Sequence, residues 1–172
     1  MSLFSPRSLD VDVVLDLMIH DLDVVLTLTG RMPEEIRAAG ISILSQKVDI
    51  ANVRLAFPGG CVANLTASRV STERIRKIRL FQPRQYLSLD YARQDLAAFE
   101  VSPEHQIGFH AVDVAKDEPL KLELASFVQA VQTRSAPEVT GEDARRALEV
   151  ALEILDKIEA HARVVAQSMG VA

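Results

Sequence analysis

The sequence predicts an α+β fold, and three observations carry that expectation. Apolar residues recur at helical spacing near the start and again over the last third. The stretch between them breaks into short β-rich runs. The turns joining those runs are tight enough to make consecutive runs antiparallel neighbours.

From Asp12 to about Leu28, the residues Leu15, Met18, Ile19, Leu22, Val25 and Leu26 recur at helical spacing, Gly30 stands where the helix should stop, and Pro33 follows. On this one-sided amphipathic helix Asp16, His20 and Asp23 fall opposite the apolar stripe, four and then three residues apart, so they can meet while the stripe packs down.

Five β-rich runs follow, over 36–44, 49–57, 61–71, 74–82 and 86–91. Pro58-Gly59-Gly60 supplies turn residues that tolerate positive φ, and Gln82-Pro83-Arg84-Gln85 can reverse the chain again. In the third run Cys61, Ala63, Leu65, Ala67 and Arg69 point one way and Val62, Asn64, Thr66, Ser68 and Val70 the other, which suits a sheet with one packed face. The second face is suited to solvent or to a second subunit. Further strand material is expected around 99–101 and 108–114.

Pro119 is placed for a first helical turn, and Leu120, Leu124, Phe127, Val128 and Val131 continue a helix that ends near Arg134 and Ser135, because Pro137 disfavours helical geometry before it. Thr140, three residues before Asp143, forms a capping-box-like start for a long helix through Ala144, Leu148, Ala151, Leu155 and Ile158. No repeat, low-complexity tract or composition break interrupts the chain, so a single domain over 1–172 is expected.

At 172 residues and 48% hydrophobic the chain can bury one sizeable core. A net charge of −5 argues against a nucleic-acid partner. The single cysteine, Cys61, allows no intrachain disulfide, which fits the cytoplasm, and it reads as a small packed sheet residue. No run approaches the roughly 18–20 apolar residues of a membrane span, and Met1-Ser2-Leu3 leads into Pro6 and Arg7 without a signal-type apolar core. No membrane association is expected.

Chemistry concentrates on Asp16 and His20. An imidazole can take a proton from a substrate hydroxyl at neutral pH, and a carboxylate one turn away can orient it. On spacing alone the commoner meaning is a surface pair worth a few tenths of a kcal/mol. Asp16, His20, Asp21 and Asp23 offer one imidazole only, with His105, His110 and His161 in other segments, so no metal site is expected. Arg69, Arg74, Arg76, Lys77 and Arg79 read as a solvated strand edge that discourages aggregation, with Arg69 alone a candidate contact for an anionic substrate group. The seven glycines form neither Gly-x-Gly-x-x-Gly nor a P-loop.

The run Asp16-Leu17-Met18-Ile19-His20-Asp21-Leu22-Asp23 resembles the Asp-x-x-x-His helix of the Gfo/Idh/MocA family of sugar and polyol dehydrogenases. Residues 53–60 and 62–69 are similar to the family's central hairpin, and 118–120 with 139–144 to its closing helices, in the family's order. The resemblance implies an α+β domain with an open, mostly antiparallel β-sheet and helices packed on one face, which carries the substrate site and the subunit contacts. It implies that the N-terminal Rossmann domain is absent from this chain, together with the Glu-Lys-Pro motif and its catalytic lysine, so that the chain is a piece of a longer protein and inactive alone. NAD or NADP would be bound mainly by that missing domain, and no cofactor-binding residue is assigned in this chain. By position His20 matches the family's catalytic acid/base and Asp16 its substrate-orienting carboxylate; Asp12, Asp23 and Arg69 inherit no role. The implied substrate is a sugar, a nucleotide sugar such as UDP-N-acetylglucosamine, or a polyol, and the implied assembly a homodimer or higher homo-oligomer through the sheet. The alternative is a non-catalytic ligand-sensing or dimerisation module of the same fold.

Overall fold

The computed structural model describes residues 9–71 and 75–170. Arg74, in the expected basic stretch and at the head of the fourth expected strand, lies outside the described residues, as do Met1-Ser2-Leu3, Pro6 and Arg7. The elements run in order as a π-helical turn (Val14–Met18), α1 (Ile19–Thr29), β1 (Glu35–Ile41), β2 (Ile50–Ala56), β3 (Val62–Ser68), β4 (Lys77–Gln82), β5 (Gln85–Asp90), β6 (Asp95–Val101), β7 (Ile107–Val112), α2 (Pro119–Thr133) and α3 (Gly141–Ser168). The composition is continuous, yet the chain forms two compact units, Met1–Thr72 with Glu138–Ala172 and Glu73–Pro137. Each unit holds its own antiparallel sheet, ordered β1-β2-β3 and β4-β5-β6-β7, so strand-like composition runs across the division without a break. The α+β class with antiparallel strands is the observed one.

In the first unit the strand alternation expected from sequence is realised. Ala51, Val53, Leu55, Leu65 and Ala67 are buried, while Asn52, Arg54, Asn64 and Thr66 are exposed on the opposite face. There Arg54 donates to Asn64 and the Thr66 hydroxyl to Asn52, a cross-strand polar layer facing water. The buried face meets Val14, Met18, Leu22 and Leu26 from the first helical segment and Val150, Ala151, Ile154 and Ile158 from α3. Gly30, at φ 64°, closes α1 by donating its amide to the Leu26 carbonyl, and Gly59 and Gly60 take φ 93° and 88° in the β2–β3 turn. Thr140 and Asp143 form the reciprocal capping box that opens α3.

The inward stripe of α3 is rotated from the one expected. Ala147, Val150, Ala151, Ile154 and Ile158 are buried, Leu155 is half-buried, and Ala144 and Leu148 are exposed. The helix carries two overlapping apolar stripes, and close approach to β1 selects the one with the smaller residues. At Gly40 an added Cβ would lie 2.7 Å from Val48 Cγ1 and 2.9 Å from Ile158 Cγ2.

In the second unit the β4–β5 hairpin closes between Gln82 and Gln85, with Arg84 at φ 61°. Rings from all four strands line up across the sheet: Phe81 on Tyr86 at 4.8 Å between centroids, Tyr86 on Phe99 at 5.2 Å, and Phe99 on Phe109 at 5.1 Å. α2 is capped by Glu118, whose carboxylate accepts from the Leu120 and Lys121 amides, and ends at Arg134 in the left-handed region. Its apolar stripe is exposed: Leu120, Leu124, Phe127, Val128 and Val131 each keep between 51% and 62% of their surface.

Candidate active site on the first helix

The first helix begins with a π turn, in which the Ile19 amide donates to the Val14 carbonyl five residues back. Single π turns are rare and frequent at functional sites, because they re-aim the side chains they contain. Asp16 lies inside this turn and is half-buried; His20 follows in the first turn of α1 and is exposed. The widened turn interrupts regular four-residue stacking, and among the described residues no hydrogen bond or ion pair joins Asp16 to His20. Core packing through Met18 and Leu22 on the opposite side leaves both polar groups free of the interior.

The approach to this helix is clamped. The Val13 amide donates to the Val48 carbonyl at 2.9 Å, and the Val48 amide returns a bond to Asp12 Oδ1 at 2.7 Å. Lys47 Nζ lies 3.8 Å from Asp12 Oδ2. One residue earlier, Arg69 Nη2 donates to the Val11 carbonyl. Arg69 Nε lies 3.7 Å from Asp49 Oδ1, with the two side chains 9% and 0% exposed. The guanidinium is thus engaged within the unit by Asp49 and Val11, whereas the sequence suggests an outward contact to an anionic substrate or a solvated edge.

Asp49 is the residue that sequence reasoning missed. Its Oδ2 accepts from the amides of Ile43, Leu44 and Ser45 at 2.7, 2.6 and 3.1 Å, and Oδ1 accepts from the Ser45 hydroxyl at 3.1 Å. Burial pushes the carboxyl up, but these donors outweigh it and hold it at about 2. A signal for it exists. The β2–β3 register that pairs Ile50 with Ser68 sets Asp49 opposite Arg69, and the Arg69 amide donates to the Asp49 carbonyl at 3.0 Å.

The remaining candidates separate. Arg76, Lys77 and Arg79 are exposed on or beside β4, an edge strand, as a solvated basic edge requires. Cys61 is exposed just before β3, not packed in the sheet, because the turn glycines end the buried alternation at Phe57 and it resumes only at Ala63. Among the described residues no group of three or more His, Cys, Asp or Glu side chains is arranged to hold a metal ion, and no helix is long and apolar enough to cross a membrane.

Residues 4–84 match the model of the GFO/IDH/MocA C-terminal domain. The chain is 38% identical over 162 residues to a UDP-N-acetylglucosamine 3-dehydrogenase from Acidithiobacillus ferrooxidans, aligning 91% of this chain with 52% of that protein. The solved structure of UDP-N-acetylglucosamine 3-dehydrogenase GnnA from that organism superposes with a TM-score of 0.83 at 39% identity, over 92% of this chain and 51% of that one. An aldose-aldose oxidoreductase from Caulobacter crescentus shares the fold at a TM-score of 0.72 and 21% identity, covering 87% of this chain and 46% of that one. The chain spans about half the length of the curated relative it matches.

Proposed function

The chain carries a C-terminal domain of the Gfo/Idh/MocA family, and on that premise we propose that it is the substrate side of an NAD(P)-dependent oxidoreductase acting on a hydroxyl of a sugar, nucleotide sugar or polyol. A nucleotide sugar is favoured, because the relative at 38% identity is a UDP-N-acetylglucosamine dehydrogenase. The observation that carries the reading is the placement of His20, exposed on a helix whose other side is locked into the core and whose start is pinned by Asp12 and Arg69.

His20 is assigned as the acid/base that exchanges a proton with the substrate hydroxyl, and Asp16 as a carboxylate that accepts a hydrogen bond from the substrate and orients it. Arg69 is assigned as a positioning residue that fixes the approach to the helix. The described residues do not themselves fit a dinucleotide: among them both sheets are antiparallel and no glycine-rich turn leads from a strand into a helix. NAD or NADP therefore falls to another part of the parent protein, and the chain alone is expected to be inactive. Cytoplasmic location and self-association through a sheet belong to the same proposal, the exposed free thiol of Cys61 suiting a reducing compartment.

The experiment is to express the parent protein containing this chain and follow nicotinamide absorbance with NAD and NADP against a panel of nucleotide sugars, free sugars and polyols. Turnover of at least one supports the reading. Saturable binding of a sugar without turnover of any would replace it with the ligand-sensing alternative, which the absence of an Asp16–His20 bond among the described residues favours.

A further inference from the structure

We propose that the last turns of α3 and the loop joining β1 to β2 form a seat for the polypeptide that precedes this chain in its parent protein. Family membership, not the proposed reaction, supplies the occupant. A C-terminal domain that aligns with 52% of its relative is preceded by the remainder, and the remainder joins the first unit beside these two elements.

The inward stripe of α3 outruns the core it packs on. Ile158 is its last buried residue and lies against Gly40, next to the end of β1. The helix continues through residues 159–168, about 15 Å further at 1.5 Å per residue. Over that length every residue is exposed except Ala166, which is half-buried. At roughly 100° per residue, Val165 and Met169 return to within about 20° of the direction of Ile158, and Ala162 to within about 40°. The face buried against β1 and the first helical segment therefore runs on as Ala162, Val165 and Met169, and the last two keep 40% and 71% of their surface. A helix end that carries the β-branched Val164 and Val165 frays in water unless its apolar side is covered.

The chain enters the unit beside the point where α3 leaves it. Val48 flanks Gly40 together with Ile158, and Val48 is the residue that exchanges hydrogen bonds with Asp12 and Val13. Here the end of β1 and the loop after it present Ile41, Ile43 and Leu44, with 61%, 55% and 47% of their surface exposed. These apolar side chains stand on a fixed backbone, because the buried Asp49 holds the amides of Ile43, Leu44 and Ser45. Loop and helix end together offer roughly 600 Å², in the range of interfaces between domains of one chain. A segment tethered at Val11 meets this surface at high effective concentration, so an interface of that size suffices.

The test is hydrogen exchange, read by mass spectrometry, on the parent protein and on this chain alone. The amides of 160–168 are expected to exchange at least 100-fold more slowly in the parent, with those of 147–158 slow in both. Val165→Asp and Ile43→Asp are each expected to speed exchange over 160–168 in the parent at least tenfold and to leave the thermal midpoint of the chain alone unchanged, since both side chains are exposed there. Met169→Asp is the further variant should either fail to fold. Equal exchange over 160–168 in the two proteins overturns the proposal, as does protection in the parent that is indifferent to every variant. Protection that disappears on dilution to the monomer assigns the helix end to a second copy and overturns it as well. No readout depends on turnover, so a parent inactive toward every substrate overturns the proposed reaction and leaves this seat standing.

Discussion

Arg69 and Asp49 face each other at 3.7 Å, one side chain 9% exposed and the other not at all. Around them converge the Val11 carbonyl, the 43–45 amides and the end of β3. This ion pair ties three separate stretches of chain together beside the first turn of the helix that carries Asp16 and His20.

Removing one member of a buried pair leaves the other uncompensated, so Arg69→Ala is expected to destabilise the first unit by about 3–5 kcal/mol. Arg69→Lys should recover only part of the loss, because a single ammonium cannot reach Val11 and Asp49 with the geometry of the guanidinium. Urea unfolding monitored by circular dichroism measures both.

The Asp49 carboxyl is held at about 2, below its ordinary value of 3.8. The folded state therefore favours its charged form, and the associated stability is fully present above about pH 4 and lost as pH falls toward 2. The contribution is about 2 kcal/mol. Unfolding free energies measured from pH 6 to pH 2 should fall less steeply for Asp49→Asn than for wild type, even though the variant starts lower. Equal slopes would show that another carboxylate governs acid unfolding.

Gly40 on β1 lies against Ile158 of α3, with Val48 and Ile158 inside the space of an added methyl group. Gly40→Ala is expected to cost about 1–3 kcal/mol through overpacking. The double variant Gly40→Ala with Val48→Ala, which removes the Cγ1 atom at 2.7 Å, should cost less than the sum of the two single variants in the same unfolding assay.

The legible parts of this fold are those with local causes. Gly30, the Pro58-Gly59-Gly60 turn and the Thr140–Asp143 box mark their positions by chemistry acting within a few residues, and each stands where the sequence places it. The stripe of α3 is less legible, since Leu148 and Ile154 are equally apolar and only contact with β1 decides between them. The Asp49–Arg69 pair depends on a register spanning twenty positions, so neither residue signals its partner locally. For the candidate site, the helix and its polar side are legible from periodicity, whereas the π turn through Asp16 is not, because an extra residue in one turn leaves no mark in a seven-residue window. The division into two units is likewise hidden, because each contributes antiparallel strands of the same composition.

His20 is the group proposed to move the proton, and the most direct measurement is kcat of the parent protein carrying His20→Ala, on the best substrate of the panel and with circular dichroism unchanged. A fall of about 10²–10⁴-fold is expected for loss of a general acid/base. A kcat equal to that of wild type would contradict the account.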